Sequence, residues 1–168
     1  MKATEANLLE FLKKSPQFVI PIYQRTYSWE QPECLQMWND IIRTGERDEI
    51  SAHFIGSIVY IEKGLYHISS QTPLLVIDGQ QRLTTLQVLF AVIRDICTSV
   101  GAGDHATEIG RWIANSPSAT PNIDDRFKVW PTNVDRDDFR KVMTAGTPFM
   151  VYHRYTAPAF TNGQSLPT

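Results

Sequence analysis

Two glutamine–arginine pairs are the side chains of this sequence best suited to bind a phosphate group. Gln24-Arg25 and Gln81-Arg82 each follow a short apolar stretch with the composition of a β-strand. Arginine carries a planar, permanently charged set of donors that matches phosphate oxygens. Glutamine offers both donors and acceptors to a base edge, a ribose or a water molecule. Two strand ends that each carry such a pair predict one shared polar site.

The second pair is preceded by a turn that is typical of an anion-binding helix start. Leu74–Ile77 has the composition of a buried strand, and Gly79 permits a tight turn and a close approach to a ligand. The helix predicted to follow would present free N–H groups and the positive end of its dipole. Asp78 cannot hold an anion directly. It could bind Mg²⁺ between phosphates, accept from a ribose hydroxyl or orient the arginine.

A purely structural interpretation of this turn is also open. In it, Asp78 caps the helix, Gly79 makes the turn, and the polar residues that follow face water. This interpretation accounts for the cap and the turn. It does not account for the Gln24-Arg25 pair at a second strand end.

Three aromatic residues surround the first pair, namely Tyr23, Tyr27 and Trp29. Aromatic rings stack on nucleobases, so these residues could hold a nucleotide or a splayed base. They could equally pack on the protein, with Trp29 against the next helix and Tyr27 over the edge of the core. We favour packing for Trp29 and leave both interpretations open for Tyr23.

The elements that hold these residues are predicted from hydrophobic periodicity and from the positions of glycine and proline. The pattern is typical of a mixed α/β (α+β) domain. Pro21 restricts the first strand to a sheet edge or an extended lead-in. Helices are predicted over Asn7–Lys14, Gln31–Arg43, the residues from Arg82 to Gly101, Glu108–Ala114 and Asp135–Met143, and strands over Phe18–Ile22, Phe54–Ile61, Leu74–Ile77 and Phe127–Trp130.

The composition indicates one globular domain with a packed core. The 168 residues are 42% hydrophobic and 20% charged, with a formal net charge of -2. Contact with DNA would therefore need a local basic patch or a partner domain. Cys34 and Cys97 lie in apolar helical patterns, which predicts buried thiols in a reducing cytosol. The sequence shows neither a signal peptide nor an apolar run of membrane-spanning length, so we expect a cytoplasmic protein without a membrane partner.

Four stretches of the sequence together resemble one known family. "IPIYQRTYSW" at Ile20–Trp29 and "VIDGQQRLTTL" at Val76–Leu86 resemble the two signature motifs of the N-terminal domain of GmrSD-type restriction endonucleases. "HFIGSIVY" at His53–Tyr60 is similar to the strand between those motifs. "RFKVWPTNVDRDDF" at Arg126–Phe139 resembles a weaker block of the family. The resemblance covers residues 20–139, with the motifs in the family's order.

The resemblance implies a ParB-like, sulfiredoxin-like fold, with a small sheet flanked by helices, and a function in DNA restriction. We expect a ParB-like NTP-binding domain over residues 1–146. The composition of residues 147–168, rich in Pro, Thr, Gly and Ser, predicts a loosely ordered tail. The domain would bind an NTP with Mg²⁺, hydrolyse it by water attack on the γ-phosphate, and regulate modification-dependent restriction in antiphage defence.

The resemblance also implies which residues form the site. Asp78, Gln81 and Arg82 would be catalytic, and Asp78 would also be the metal ligand. The identity of the group that orients the attacking water stays open between Asp78 and Gln81. The nucleotide-binding residues would be Tyr23, Gln24, Arg25, Asp78, Gly79, Gln80, Gln81, Arg82 and Thr84. Tyr23, Gln24 and Arg25 could instead contact the DNA backbone.

Two alternatives to an NTPase remain. The same loop could grip a DNA phosphate and report a base or backbone modification without catalysis. Direct DNA cleavage at this site is less supported, because Asp78 is the only carboxylate in the two signature motifs and two-metal cleavage usually needs several. In the family, cleavage is assigned to a C-terminal domain with an HNH-type histidine–metal site. This sequence shows no such constellation, so we expect an HNH nuclease domain as a partner and no DNA cleavage by this chain alone.

Overall fold

The computed structural model describes residues 4–50, 52–62, 72–117, 120 and 122–144 of the chain. The tail predicted over residues 147–168 lies outside the described residues. The helices are α1 (Leu8–Lys14), α2 (Gln31–Gly45), α3 (Gln80–Ser99), α4 (Gly103–Ile113), α5 (Ile123–Arg126) and α6 (Arg136–Thr144). The strands are β1 (Phe18–Val19), β2 (Val59–Glu62), β3 (Leu74–Asp78) and β4 (Val129–Trp130).

The four strands form one mixed sheet in the order β2-β3-β1-β4. β1 is parallel to both of its neighbours, with Phe18 opposite Leu74 on β3 and opposite Val129 on β4. β2 runs antiparallel to β3. The carboxyl ends of β1, β3 and β4 therefore meet at one end of the sheet, which is where open α/β sheets commonly bind ligands.

The core joins the sheet to helix α3. Phe18, Val76 and Val129, from three different strands, are fully buried together with Leu83 in the first turns of α3. Burial of each such side chain stabilises the fold by about 1.5–3 kcal/mol. α3 also packs extensively against α4. The start of α3 is thus fixed beside the carboxyl ends of the parallel strands.

The mixed α/β architecture is confirmed, but the predicted position of the first strand is wrong. β1 lies inside the sheet, hydrogen-bonded to β3 on one side and to β4 on the other. Pro21 does not disturb the pairing of β1. The paired residues end at Val19, and the last N–H that donates to β4, from Ile20 to the Trp130 carbonyl, precedes the proline. A proline restricts a strand only where its missing N–H would have been paired.

The buried strand predicted over Phe54–Ile61 is also wrong in its first half. The strand begins at Val59, and its burial is low along its length. The Phe54 side chain is 82% exposed. Gly56 has a φ of 101°, which interrupts the extended backbone. The apolar composition of this stretch does not indicate that Gly56 adopts a left-handed conformation.

α4 begins at Gly103, five residues before the predicted start at Glu108. Cys34 and Cys97 are free thiols that are half-buried, not fully buried as predicted. Among the described residues, no helix has the length and apolar character needed to cross a bilayer.

Candidate functional site

All four family-like stretches meet at the carboxyl end of the sheet. They are the segment that follows β1, the segment that precedes β2, the turn from β3 into α3, and the segment that follows β4. Their meeting is a consequence of topology, because β1 and β3 are adjacent and parallel, and β2 pairs antiparallel with β3. The sequence prediction that the two polar motifs share one place in the fold depends on this arrangement.

The turn from β3 into α3 leaves the helix start uncapped by any side chain. Gly79 is the N-cap residue and has a φ of 92°, and the first turn of the helix holds no acidic residue. A Cβ at this position would lie 3.0 Å from the Ser57 carbonyl oxygen, so the preceding segment lies close over the turn. Asp78 ends β3 and does not cap the helix, so the structural interpretation of that carboxylate is wrong. The start of α3 therefore has neither a side-chain cap nor an acidic residue in its first turn to offset the positive end of its dipole.

The two polar motifs contact each other through their glutamines. The Gln24 amide donates to the Ile77 carbonyl at 3.1 Å, which attaches the first motif to the end of β3. The Gln80 amide lies 3.4 Å from the Gln24 Oε1 atom, as donor to it. Gln80 is buried at the start of α3, so this contact places Gln24 beside the uncapped helix end. The two polar motifs are thus brought together through Gln24 and Gln80, although Gln80 is not a member of either predicted Gln-Arg pair.

Gln81 holds the backbone of the segment that follows the first pair. Its amide nitrogen donates to the Thr26 carbonyl at 3.0 Å, and its Oε1 atom accepts the Ser28 N–H at 2.8 Å. The side chain is 5% exposed. Both polar atoms therefore have backbone partners, and contact with a ligand would compete with one of these bonds. In this geometry Gln81 shapes the site by fixing Thr26–Ser28.

The two arginines have different surroundings. Arg82 donates from Nη1 to the Ser57 carbonyl at 3.1 Å, and its guanidinium lies against Gly56. Arg25 is exposed and makes no hydrogen bond or ion pair with any residue of the described ranges. Its side chain lines a small cavity together with Gln80. One N–H group of Arg82 thus donates to the segment before β2, whereas no N–H group of Arg25 donates to a residue of the described ranges.

The cavity beside Arg25 is too small for a nucleotide. Its volume is about 10 Å³, which matches a single water molecule. A larger ligand would have to bind at its mouth, on the surface formed by the strand ends. A cavity of about 770 Å³ lies elsewhere, at α1 and the start of β3, and no predicted site residue lines it. The small cavity is lined by Ile20, Arg25, Tyr27, Gln80, Gln81, Thr84, Pro131, Thr132 and Asp135.

The aromatic residues divide between solvent and protein contacts. Tyr23 is 73% exposed and is available for stacking. The Tyr27 hydroxyl lies 2.8 Å from the Thr85 Oγ1 atom and 3.6 Å from the Cys34 Sγ atom, so this ring joins α3 to α2. Burial raises the pKa of Tyr27 from 10.0 to about 12, so the phenol stays protonated well into the alkaline range. Trp29 is half-buried.

Sequence reasoning missed Asp135 as a residue of this site. Its Oδ2 atom accepts the Tyr27 N–H at 3.1 Å and the Thr132 hydroxyl at 2.7 Å. The sequence predicts Asp135 only as the first residue of a polar helix. The parallel order of the strands could have identified it, because the chain leaves β4 at Trp130 on the same side of the sheet as the ends of β1 and β3.

A metal ion at this site would have few protein ligands. The described residues contain no group of three or more His, Cys, Asp or Glu side chains that could hold an ion. The Asp78 carboxylate is exposed, and no residue of the described ranges donates a hydrogen bond to it. Mg²⁺ commonly uses one or two carboxylates and takes its other ligands from phosphates and water. The single carboxylate therefore fits Mg²⁺ that arrives with a nucleotide better than a metal ion bound by protein alone.

Comparison with known protein families gives a match over most of the chain. No curated protein matches the chain significantly. The family described as "GmrSD restriction endonuclease, N-terminal domain" matches residues 7–152. That range includes all four stretches on which the resemblance was stated and nearly nine-tenths of the chain. The chain therefore belongs to the family of N-terminal domains of GmrSD restriction endonucleases.

Proposed function

We propose that this chain binds an NTP with Mg²⁺ at the start of α3 and hydrolyses it, as the regulatory domain of a modification-dependent DNA restriction system. A ParB-like, sulfiredoxin-like fold belongs to the same proposal. The observation that carries it is the meeting of the glutamines of both motifs beside an uncapped helix start. Arg25, without a partner in the described ranges, lies at the same place.

The phosphates are the part of the ligand for which this surface is best suited. The first N–H groups of a helix have no acceptor inside the helix, and α3 has neither a side-chain cap nor an acidic first turn. Arg25 adds charged donors that no described residue occupies. The surface thus combines free backbone donors, a helix dipole and a free guanidinium, all of which favour an anion.

Hydrolysis requires groups that act as charge develops on the γ-phosphate. When bound, Mg²⁺ would supply positive charge that stabilises this developing negative charge. Asp78 is the residue that would hold it, since this carboxylate is exposed at the end of β3 and has no partner among the described residues. Arg82 donates from one nitrogen to the Ser57 carbonyl, and its other N–H groups could donate to a phosphate. Gln81 acts indirectly, by holding Thr26–Ser28.

A second candidate is a module that binds DNA without catalysis. Two large aromatic side chains close in sequence to the site, Tyr23 and Phe54, are exposed. Such rings stack on unpaired bases. Arg25 would then contact a DNA phosphate instead of a nucleotide phosphate. This candidate predicts binding to DNA, with or without a modification, and no release of phosphate from NTP.

The deciding experiment measures calorimetric NTP binding and phosphate release with Mg²⁺, with and without modified DNA. Arg25→Ala should weaken NTP binding by about ten- to a hundredfold, because hydrogen bonds to charged groups are worth about 1.5–3 kcal/mol. Arg111→Ala is the matched control, since Arg111 pairs with Glu108 on α4 and does not line the cavity. Wild-type affinity in Arg25→Ala would overturn the proposed site. DNA binding without NTP binding by the wild type would support the second candidate.

A further inference from the structure

The segment Thr26–Ser28 has no regular secondary structure, yet its backbone is held at three consecutive residues. Gln81 binds the Thr26 carbonyl and the Ser28 N–H. Asp135 accepts the N–H of Tyr27, the residue between them. The bonds come from two separate parts of the fold, one at the start of α3 and one just before α6. The segment is therefore clamped from both sides.

The Asp135 carboxylate is itself fixed in place. The Thr132 hydroxyl donates to the same oxygen, at 2.7 Å, and the Asp135 N–H donates to the Thr132 carbonyl at 3.0 Å. The Asp135 carbonyl accepts the Phe139 N–H and so begins α6. A carboxylate held by its own turn and by a helix start is a rigid acceptor, and its position defines where the Tyr27 backbone lies.

Arg25 lies between two attached neighbours. Gln24 is bound to the end of β3 through its side chain, and Thr26 is bound to Gln81 through its carbonyl. The Arg25 side chain itself is free of partners among the described residues and lines the same cavity as Asp135. This combination of a fixed backbone and a free side chain is the arrangement that reduces the entropy cost of binding a ligand.

We infer that Asp135 is a positioning residue of the nucleotide site, which fixes residues 26–28 and thereby presents Arg25 to the phosphates. This inference rests on the proposed function. The role is geometric: the site needs an acceptor oxygen at this place, whereas a negative charge beside a phosphate site would oppose anion binding. A competing role, as a second Mg²⁺ ligand, would need the charge instead. The conservative substitution Asp135→Asn separates the two roles, because it keeps an acceptor oxygen and removes the charge.

The test measures NTP affinity with and without Mg²⁺, and amide hydrogen exchange of residues 25–28 without ligand. Asp135→Ala should weaken NTP binding by about tenfold, because an Arg25 that is no longer held in place must be ordered on binding, and should speed exchange at Tyr27. Asp135→Asn should leave the NTP affinity and the exchange rate at Tyr27 within about twofold of wild type. Asp137→Ala is the control, because Asp137 lies on α6 and its side chain is 81% exposed. Thr132→Val, which removes one of the two bonds to the carboxylate, should give an intermediate loss if Asp135→Ala fails to fold.

The outcomes separate this inference from the proposed function. If the wild type binds no NTP, the proposed function fails, and the exchange data alone report whether Asp135 clamps the segment. If the wild type binds NTP and Asp135→Ala binds it equally well, the inference is overturned. If Asp135→Asn behaves like Asp135→Ala, and only the Mg²⁺-dependent part of the affinity is lost, Asp135 is a metal ligand and the positioning role is wrong.

Discussion

The guanidinium group of Arg82 lies directly against the backbone of Gly56. A Cβ atom built on Gly56 would lie 2.6 Å from Arg82 Cζ, which is closer than real Cβ contacts allow. The same glycine has a φ of 101°. The arginine of one motif and the glycine of another, 26 positions apart, therefore depend on each other.

Gly56→Ala should destabilise the domain, because of the close contact with Arg82 and because of the positive φ of Gly56. The new methyl group would displace the Arg82 side chain, and the left-handed backbone would be strained, which together cost about 1–3 kcal/mol of unfolding free energy. Urea denaturation measures the loss. Gly45→Ala is the control, because Gly45 ends α2 with nothing within 4 Å of its would-be Cβ. Equal stability of the two variants would show that the Arg82–Gly56 contact is not close in solution.

Gln81→Met should loosen the segment that carries Arg25. The substitution keeps the side-chain length but leaves the Thr26 carbonyl and the Ser28 N–H without their partner. Loss of hydrogen bonds to such part-buried groups costs about 1–3 kcal/mol. Thermal melting and hydrogen exchange at Ser28 check the expectation, with the exposed Gln36→Met on α2 as the control. Unaltered exchange at Ser28 would contradict the clamp.

Much of this fold was predictable because its elements have strong local signals. The strand Leu74–Ile77 was predicted within one residue of its observed bounds, and the helix that follows it was placed correctly. The sequence also predicted that the two polar motifs share one place in the fold, but not that Gln24 and Gln80 are the side chains in contact. Local composition was sufficient for the strand and the helix.

The remainder depends on contacts between residues that are distant in sequence. The Gln81 clamp joins side-chain and backbone atoms more than fifty positions apart, and the Asp135 bond to Tyr27 spans 108 positions. No periodicity reports such bonds. Gly56 was missed for a different reason: glycine adopts left-handed and extended backbone with similar ease, so its type alone does not predict which one it will take. The partners of these side chains and the left-handed conformation of Gly56 could be identified only from the structure.

Lys128 should make the stability of the domain rise with pH between 8 and 10. It is 2% exposed and donates to the Ser15 and Lys13 carbonyls, with no carboxylate partner among the described residues. Burial lowers its pKa from 10.5 to about 8. The unfolded chain therefore binds the proton more tightly over this window, and raising the pH favours the folded state by about 2 kcal/mol.

The measurement is urea denaturation at pH 8, 9 and 10 for wild type and Lys128→Met. The variant should lack this rise, whatever its absolute stability. The raised pKa of Tyr27, about 12 in the folded state, has the opposite sign, because that stabilisation is complete below pH 10 and is lost as the pH increases towards 12. Most of that loss lies above the chosen window. Parallel curves for the two proteins would mean that Lys128 is not buried in solution.

Arg82→Ala should reduce both stability and nucleotide affinity, whereas Arg25→Ala should reduce affinity alone. The difference follows from their contacts: Arg82 binds Ser57 and packs on Gly56, but Arg25 has no partner in the described ranges. Melting temperature and calorimetric affinity, measured on both variants, give the two quantities. If Arg82→Ala melts like the wild type and binds NTP normally, the segment before β2 does not depend on it and Arg82 has no role in the site.

Asp78→Asn should depress turnover more than affinity. The side chain is exposed at the end of β3 and does not cap α3, so the substitution should leave the melting temperature unchanged. If the carboxylate holds Mg²⁺ or orients the attacking water, its charge matters most as charge develops on the γ-phosphate, and phosphate release should fall by about tenfold or more at saturating NTP. NTP affinity measured without Mg²⁺ should stay within about twofold of wild type, or rise slightly, because a negative charge near the phosphates is removed. Asp137→Asn on α6 is the matched control, an exposed carboxylate outside the cavity. Normal phosphate release by Asp78→Asn would exclude this carboxylate from catalysis and leave the uncapped helix start and Arg25 as a binding surface.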